Sequence, residues 1–397
     1  MIRSHYDAVV LGGGPAGLAA ALALRRRAEV SVLVVDGGSR ECERVGESAP
    51  PDLLVVLGQL GLTQRFRAAG HAPCPGYASL WGSARVGHND FILNPMGPAW
   101  RLNRRRFDGM LADAALELEV TLRWRTRLLR TRPADAAEGG GHHLWLALED
   151  GSQVSVHASW VIDATGAGAH FARAVGARRR VDDQLFALVR FSPLRGGSMT
   201  MQALLEAVRE GWWYTARLPD ERVITMLVTE RDTVRRMKAE GPRAWSKALE
   251  DTSLVGATLA GLSLDDDGEV RLGGAHRVVS ISSSVLDVQE GAGWSAVGDA
   301  ASSYDPIAAQ GVYKALAEGV TVGRRVADRL RGDGPSRPRP PLDIQTRFHD
   351  YNRNRAYLYG LERRWPDAPF WRARRERTLQ ALRAAPLEGG TVQELRT

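Results

Sequence analysis

Three glycines and one aspartate near the amino terminus have the residue types and the spacing that bind a dinucleotide. The largely apolar residues 6–11 predict a buried strand, and a Gly-x-Gly-x-x-Gly pattern follows it and opens a helix. Gly12 permits a tight turn, Gly14 lets a pyrophosphate approach the backbone, and Gly17 lets the helix pack against the strand. Asp36 lies 19 residues after Gly17, where a carboxylate accepts hydrogen bonds from a ribose hydroxyl. These residues predict a site for an adenine dinucleotide.

The elements that must position these residues follow in chain order. Residues 15–27, which include Ala16, predict a helix whose first N–H groups face the phosphates, and residues 30–35 predict a second strand. A glycine pattern alone is weak, and the alternative for Asp36 is a surface acid that closes a strand. The agreement of strand, turn, helix, strand and acid indicates a Rossmann-type nucleotide-binding domain.

Composition limits the class of protein. The 397 residues leave room for two domains or for one domain with a large insertion, and 44% apolar with 25% charged residues is typical of a globular protein. No apolar run reaches the ~18 residues of a membrane span, and the amino terminus lacks a signal-peptide pattern. We therefore expect a cytoplasmic protein without a membrane partner. Cys42 and Cys74 have no metal-binding spacing, so no metal site is expected.

The positive charge has a broad distribution. The formal charge of +7 comes almost entirely from arginine and is spread along the chain, which argues against a nucleic-acid partner. Six arginines do cluster between residues 363 and 377, among Trp365, Phe370 and Trp371. A solvated helical face is favoured there over a docking surface for an acidic partner.

Alternating apolar residues predict an antiparallel sheet inserted into the nucleotide domain, with strands at 184–191, 212–218 and 223–229. Further along, the pattern predicts a helix over 232–251, a strand over 278–286, a long helix over 311–330, and terminal helices over 342–365 and 369–385. The predicted fold is therefore α/β. It has nucleotide-binding segments at 1–75, 101–180 and 278–331, substrate-domain segments at 76–100 and 181–277, a proline-rich linker at 332–341 and a helical carboxyl-terminal region at 342–397.

Four separated stretches resemble one family. They are GGGPAG at residues 12–17, GESAPP at 46–51, DATG at 163–166 and GDAASSYDPIAAQG at 298–311. Together they resemble the FAD-dependent monooxygenases of the aromatic hydroxylase type, in the branch that includes the flavin-dependent tryptophan halogenases. The likeness is closest to the flavoproteins that hydroxylate peptidyl tryptophan during the biogenesis of tryptophylquinone cofactors. It extends to about residue 330 and leaves the carboxyl-terminal region uncovered.

The resemblance implies FAD as the cofactor and assigns roles to particular residues. In this family the aspartate of a Gly-Asp pair binds the ribityl chain, which by position is Asp299 after Gly298. The helix that follows directs its amino end at the pyrimidine edge of the flavin, so N–H groups of Gly311 and Val312 would stabilise the negative charge of the reduced ring.

Other residues are implied along the cofactor by the same resemblance. Arg104 matches the family's arginine that contacts FAD, and Arg106 is a less favoured substitute. Arg44, Glu47 and Ser48 would lie along the flavin, and for Arg44 and Glu47 a surface ion pair is the alternative. The remaining implied contacts are Gly166 and Pro306.

In this family oxygen adds to reduced flavin to give a C4a-hydroperoxide that attacks an electron-rich ring, while the protein supplies position and a dry pocket. An aromatic triplet on a predicted strand fits those needs. Trp212 and Tyr214 share one face of the strand and Trp213 lies on the other. Either face could line an aromatic pocket, and a plain core role is equally open. We take Trp213 and Tyr214 as candidate catalytic residues.

No residue stands out as a general base. Glu47 is one candidate, and Asp305 is favoured by its place beside the expected flavin, although it could instead cap the turn before the next helix. Three histidines are weaker candidates because a lone histidine is usually a structural residue. They are His71, His88 and His170.

The resemblance also bears on halogenation. Halogenases of this family use a lysine shortly after the GES-like segment to deliver hypohalous acid, and residues 46–101 contain no lysine. Their WxWxIP motif aligns with residues 214–219, where both tryptophans are replaced. Halogenation is accordingly disfavoured, whereas hydroxylation needs no such lysine.

The leading hypothesis is an FAD-dependent monooxygenase that hydroxylates an indole or phenol, including a tryptophan held on a peptide or carrier protein. A second glycine fingerprint for NAD(P)H is missing from the sequence. The electrons would therefore come from NAD(P)H bound transiently or from a separate flavin reductase. The alternatives are an FAD-dependent oxidase or dehydrogenase and, less favoured, a non-catalytic flavin-bearing assembly factor.

Overall fold

The computed structural model describes residues 2–241, 243–263, 277–332 and 343–384. The described chain forms an α/β fold with one mainly parallel sheet, one mainly antiparallel sheet and a pair of carboxyl-terminal helices. This architecture confirms the predicted fold class. The helix Pro15–Arg27 and the long helix Gly311–Leu330 have the predicted bounds.

The first sheet is built around the strand His5–Leu11, whose last four residues are all buried and apolar. This strand pairs in parallel with Val32–Val35 on one side and with Gln153–Asp163 on the other. Burial on both faces explains its continuous apolar run. Across the sheet the strands are Glu290–Gly291, Trp294–Ala296, Gln153–Asp163, His5–Leu11, Val32–Val35 and Thr121–Arg123, with His142–Ala147 and Arg127–Pro133 extending from Gln153–Asp163.

Helices cover both faces of the first sheet. One face packs against the helices Pro15–Arg27, Leu53–Gln59, Thr63–Ala68, Arg104–Glu117 and Gly311–Leu330. The opposite face packs against His170–Ala174 and the first half of Ile344–Leu361. No helix of the described chain is both long enough and apolar enough to cross a membrane.

The second sheet has seven strands and is antiparallel except for the pair Gly76–Leu80 and Ala203–Val208, which run parallel. In order across the sheet the strands are Arg277–Ser280, Phe186–Pro193, Arg222–Thr229, Gly211–Arg217, Ala203–Val208, Gly76–Leu80 and Gly87–Asp90. Two further three-stranded sheets connect the parts. They consist of Ser48–Ala49, Ala99–Arg101 and Ala72–Cys74, and of Arg179–Asp183, Ser283–Leu286 and Ser302–Ser303.

The two faces of the second sheet are buried by different partners. Side chains alternate along each strand, so that Trp212 and Tyr214 belong to one apolar cluster and Trp213 to another. Three helices cover the Trp213 face, while the carboxyl-terminal helices lie on the Trp212 face. The three helices are Arg231–Glu240, Arg243–Glu250 and Val255–Ala260.

Two sequence-based expectations need correction. The helix predicted over 232–251 is two helices, because Gly241 adopts a φ of 78° and ends the first one. The strand predicted over 278–286 is two strands in different sheets, and Arg277–Ser280 pairs with Phe186–Pro193 in the second sheet. The linker predicted at 332–341 falls almost wholly outside the described residues.

The carboxyl-terminal helices Ile344–Leu361 and Pro369–Ala384 are part of the packed structure. Phe348 and Tyr351 join the core of the first sheet, and Tyr359 and Trp371 join the cluster on the second sheet. The expected solvated arginine face is therefore only partly right, because Arg374 is buried and pairs with Asp183 and Glu230. This region fixes the two sheets relative to one another.

Candidate functional site

The glycine turn forces three chain segments into close contact. Gly12 has a φ of 114°, and its N–H donates to the carbonyl oxygen of Val35 at 2.7 Å. A Cβ at Gly12 would collide with the carbonyl oxygen of Ala164, and a Cβ at Gly17 would collide with that of Gly12. Only glycine fits these two positions. Gly14 instead opens onto a large cavity, where a pyrophosphate can approach the backbone.

Two helices begin at this cavity. Neither Pro15–Arg27 nor Gly311–Leu330 has a side-chain cap at its amino terminus, so the first N–H groups of both stay available to a ligand. The helices pack closely because Gly319 and Gly323 lie against the backbone of Ala16 and Ala20, where any Cβ would collide. Two positive helix ends therefore converge on one chamber.

Asp36, expected at the ribose, pairs with Arg44, which was expected along the flavin. One carboxylate oxygen of Asp36 accepts from Gly13 N at 2.7 Å and the other from Gly38 N at 2.7 Å. Arg44 pairs with Asp36 at 2.9 Å and with Asp108 at 3.3 Å. The alternative of an Arg44–Glu47 surface pair does not describe this arrangement.

The Gly298–Asp299 turn lies next to the first helix. Gly298 has a φ of 61°, and a Cβ there would lie 2.7 Å from the Cβ of Ala16. Lys314 Nζ donates to Gly298 O at 3.0 Å, and Glu318 accepts from Gly298 N at 2.9 Å, which fixes the turn from the long helix. The Asp299 side chain opens on the cavity, and desolvation there raises the pKa of its carboxyl despite the nearby cations of Lys314 and Arg179.

These parts surround one continuous cavity of about 1110 Å³. It exceeds the roughly 300–1,000 Å³ of ordinary small-molecule pockets, so it has room for a large ligand and a second molecule. Of the residues predicted from the sequence, those that line it are Gly12, Gly14, Ala16, Asp36, Arg44, Glu47, Ser48, Arg104, Gly166, His170, Trp212, Tyr214, Asp299, Asp305, Pro306, Gly311 and Val312. Gly17, Gly298 and Trp213 do not line it; the two glycines act through close packing.

The donor set fits FAD. The open glycine turn and the uncapped amino end of Pro15–Arg27 suit a pyrophosphate, and the carboxylate of Asp36 lies beside that turn. The Asp299 carboxyl faces the cavity, where it can accept hydroxyl donors of a ribityl chain. The second uncapped helix end, at Gly311, suits the anionic edge of a reduced flavin.

The opposite end of the cavity has an aromatic and apolar wall from the second sheet. Trp212 and Tyr214 line it, together with Ala187, Leu205 and Met226 of neighbouring strands. Trp213 lies on the other face of the strand, with its ring 4.7 Å from that of Trp245. The expectation that Trp213 is catalytic is therefore corrected, because the alternation of the strand turns its side chain away from the cavity.

A buried arginine supports the polar part of this wall. Arg101 is fully buried and donates to the hydroxyl oxygens of Tyr214, at 2.7 Å, and of Ser48. Ser48 Oγ lies 2.9 Å from the Tyr214 hydroxyl, and Glu47 is adjacent. Burial raises the pKa of Tyr214 well above its usual value, an effect that Arg101 opposes and Glu47 increases. Tyr214 is thus a neutral phenol whose oxygen is held in place.

Asp305 lines the cavity, but its carboxylate is already bound. One oxygen accepts from Ile307 N at 3.0 Å, and the other accepts from Tyr359 Oη at 2.7 Å and from Arg355 Nε at 3.3 Å. A general base here would have to give up an ion pair with a buried arginine. The arrangement favours the alternative reading of Asp305, in which it caps the turn that contains Pro306.

Arg104 and Arg106 differ in their position relative to the cavity. Arg104 lines the cavity, donates to the carbonyl oxygens of Val45 and Gly46, and pairs with Asp108 at 3.2 Å. It therefore fixes the loop that carries Glu47 and Ser48. The Arg106 guanidinium lies instead beside Gly70 and does not line the cavity.

The carboxyl-terminal helix closes the aromatic end. Leu358 and Leu361 line the cavity, and so does Trp81, whose indole N–H donates to Leu358 O at 2.7 Å. Tyr304, also in the lining, stacks on Tyr351 of the same helix with a centroid distance of 4.0 Å. Sequence reasoning missed Leu358 and Leu361 because the resemblance stopped before this helix, and the alternation of residues 76–81 was the signal for Trp81. Tyr304 lies within a stretch that carries the resemblance, but no role was assigned to it.

The weaker candidates are mostly distant from the cavity. His71 packs between Phe66 and Phe107 outside it, and His88 lies exposed on the strand Gly87–Asp90. His170 lines the nucleotide end. Within the described residues no lysine lines the cavity, and Lys314 is held beneath it by backbone carbonyl groups.

The glycine turn, the two helix ends and the shared chamber define a flavin-binding oxidoreductase. The chain belongs to the family described as "FAD binding domain", whose model matches residues 5–338. LodB of Marinomonas mediterranea, named as an FAD-dependent oxidoreductase, is 27% identical over 370 residues, which are 93% of this chain and 96% of LodB. The suspected membership is thus confirmed, and the protein is an FAD-dependent oxidoreductase.

Solved structures share the fold over nearly the whole chain. The myxobacterial chondrochloren halogenase CndH superposes with a TM-score of 0.79 at 23% identity, covering 96% of this chain and 89% of its own. The peptidyl tryptophan dihydroxylase QhpG, described as essential for tryptophylquinone cofactor biogenesis, gives a TM-score of 0.67 at 22% identity, covering 93% of this chain and 78% of its own. The fold therefore occurs in both a halogenase and a hydroxylase.

Proposed function

We propose that this protein is an FAD-dependent monooxygenase that adds one oxygen atom to an indole or phenol ring carried by a polypeptide or carrier protein. The observation that carries the proposal is that one continuous cavity extends from Gly12 and Asp299 at one end to Trp212 and Tyr214 at the other. Reduced FAD, when bound, supplies the activation of oxygen for transfer to an aromatic ring.

The residues of the chain supply binding, orientation and dryness. The helix end at Gly311 stabilises negative charge on the reduced ring, and Asp299 holds the chain that links the ring to the phosphates. Trp212 and the apolar side chains around it exclude water and offer a ring face to an aromatic guest. The Tyr214 hydroxyl, fixed by Arg101, orients the polar edge of that guest.

Halogenation is the second candidate, since CndH shares the fold. The lining of the cavity argues against it, because among the described residues no lysine reaches the chamber where hypohalous acid would have to be delivered. The similarity to QhpG, a peptidyl tryptophan dihydroxylase, supports an indole substrate on a polypeptide. The mass of the product distinguishes the third candidate, an oxidase or dehydrogenase, from the other two.

The electron source is part of the same proposal. The sequence has no second glycine fingerprint, so NAD(P)H would bind only transiently, or a separate reductase would deliver electrons. We also propose the cytoplasmic location expected from the sequence, since NAD(P)H and flavin reductases are both found in that compartment.

The test uses the FAD-loaded protein, a reductant, oxygen and N-acetyltryptophanamide, with chloride and bromide present. A product heavier by about 16 Da that takes its label from ¹⁸O₂ is expected. A halide-dependent product would establish a halogenase instead. A product lighter by about 2 Da would establish a dehydrogenase, and peroxide alone with every indole and phenol tried would contradict the proposal.

Two neighbouring tryptophans provide matched variants for this assay. Trp212→Leu should raise the KM for N-acetyltryptophanamide by on the order of tenfold, because one wall of the aromatic end is lost. Trp213→Leu removes an equally buried indole from the opposite face and should leave KM unchanged in the folded fraction. Equal KM changes in both variants would place the guest elsewhere.

A further inference from the structure

Exposed apolar side chains are concentrated in two short segments near the aromatic end of the cavity. Eleven large apolar residues are exposed in the described chain, and six of them come from two short segments. We call these six the apolar rim: Val86, Ile92, Leu93, Met96, Tyr357 and Leu361. Ile92 and Leu93 are 88% and 92% exposed, which is unfavourable for adjacent residues unless a partner covers them.

The rim residues lie near the two ends of the strand Gly76–Leu80, which are roughly 17 Å apart. Ile92 and Leu93 follow the end at Gly76, and Val86 and Leu361 are next to the end at Leu80. At one end Phe91 N donates to Pro75 O at 2.8 Å, and this hydrogen bond anchors the loop that carries Ile92 and Leu93. At the other end Gly82 N donates to Glu362 at 2.7 Å, next to Leu361.

Cavity-lining side chains lie between the two ends of the rim. Tyr77, Ser79 and Trp81 come from the strand itself or directly follow it, and Asn89 comes from its neighbour. A chain lying along the rim would therefore pass beside these cavity-lining residues. An extended segment of five or six residues has the length to do so.

The edge of the second sheet favours a polypeptide as the occupant. Gly87–Asp90 is the last strand of that sheet, and all four of its residues are exposed. Its outer N–H and C=O groups can be paired by another backbone, which a lipid surface or a free aromatic molecule lacks. Arg85 and Arg363, both exposed, adjoin the rim in sequence and favour acidic flanking residues in the partner.

We propose that the apolar rim and the strand Gly87–Asp90 dock an extended polypeptide that presents its aromatic side chain to the cavity. The partner would have apolar residues around that side chain and acidic residues at the ends of the docked segment. This inference rests on the proposed function and names the partner of the same site. Of the six rim residues only Leu361 also lines the cavity.

The experiment measures binding without turnover. The probe is a fluorescein-labelled nine-residue peptide of sequence DVTVWVTVD, followed by fluorescence anisotropy on the FAD-loaded protein without reductant. The double variant Ile92→Ser/Leu93→Ser should bind it at least about tenfold more weakly than the unmodified protein. The control Val181→Ser/Val288→Ser changes two exposed residues elsewhere and should bind normally. A peptide with alternate amides N-methylated should bind weakly, because it cannot pair with the strand.

Several results would overturn the proposal. Equal binding by the rim variant, or no binding of the peptide to the unmodified protein, would do so. Rim-dependent binding to phosphatidylcholine–phosphatidylglycerol vesicles without peptide binding would assign the rim to a lipid surface. A dimer in light scattering that the rim variant dissociates would assign it to a second copy of the chain. Oxygen transfer to N-acetyltryptophanamide, which needs no rim, reports separately on the proposed function.

Discussion

The indole N–H of Trp212 donates to the hydroxyl oxygen of Tyr359 at 2.9 Å, and that hydroxyl donates in turn to Asp305 at 2.7 Å. This chain of bonds links the wall of the aromatic end to the carboxyl-terminal helix and to the turn beside the flavin site. All three side chains are buried. The helix that the family resemblance did not cover is thus built into the candidate active site.

Replacing Tyr359 with phenylalanine should lower the free energy of unfolding by about 1–3 kcal/mol. The ring keeps its packing, but the Trp212 N–H loses its acceptor and Asp305 loses a donor in a dry environment. Urea unfolding measures the change. Tyr357→Phe is the control, since Tyr357 is 67% exposed on the same helix and should be nearly neutral. An equal effect of both substitutions would contradict the proposed link.

The sequence allowed the glycine turn to be predicted residue by residue, because its glycines lie within one short stretch of the chain. Gly12 and Gly17 are required by contacts within one strand–turn–helix unit, and Asp36 closes the next strand. The aromatic end depends on residues far apart in the chain. Alternation along the strand Gly211–Arg217 shows that Trp212 and Trp213 face opposite ways. It does not show which face the helices Arg231–Glu240 and Arg243–Glu250 will cover.

The same limit applies to Asp305, for which the structure favours the capping alternative. Its position after the Gly298–Asp299 turn made it a reasonable base, and the partner that occupies it, Arg355, comes 50 residues later. No local pattern pairs an acid with an arginine across such a distance. A long-range ion pair of this kind, with Asp183, also explains why Arg374 is buried and not part of the solvated helical face predicted for residues 363–377.

Gly12→Ala should weaken FAD binding roughly 10- to 100-fold, because the new Cβ meets the carbonyl oxygen of Ala164 and the backbone keeps a φ that alanine adopts only with strain. The flavin absorbance of the purified protein and titration with FAD measure the loss. Gly109→Ala is the matched control: Gly109 lies within the helix Arg104–Glu117, and a Cβ there would meet nothing within 4 Å. That substitution should leave FAD binding intact. Normal flavin content in the Gly12 variant would show that the glycine turn does not contribute to FAD binding.

Asp183→Asn should destabilise the protein by about 3–5 kcal/mol. Burial disfavours the Asp183 charge, yet Arg374, Arg355 and Arg377 together hold the pKa of its carboxyl below the usual value. Removing the charge leaves buried arginines without their main partner. Asp182→Asn is the control, because Asp182 pairs with the largely exposed Arg180 and should cost at most about 1 kcal/mol. Equal denaturation midpoints for the two variants would show that the buried cluster does not hold the carboxyl-terminal helices.

His71 should make stability depend on pH between about 6.5 and 4. Desolvation, with a smaller contribution from Arg106, lowers the pKa of His71 from 6.5 to about 4. The Nδ1 atom of His71 accepts a hydrogen bond from Asn103 N at 3.2 Å. A proton added to Nδ1 would therefore face the N–H of Asn103, and this hydrogen bond would be lost. Between these pH values the unfolded chain binds a proton that the folded chain excludes, and stability should fall by up to about 3 kcal/mol as pH drops through this range. His71→Gln keeps an acceptor that does not titrate, so denaturant midpoints measured from pH 7 to pH 4 should decline less steeply than in the unmodified protein. Parallel pH profiles for the two proteins would show that His71 is protonated in the folded state.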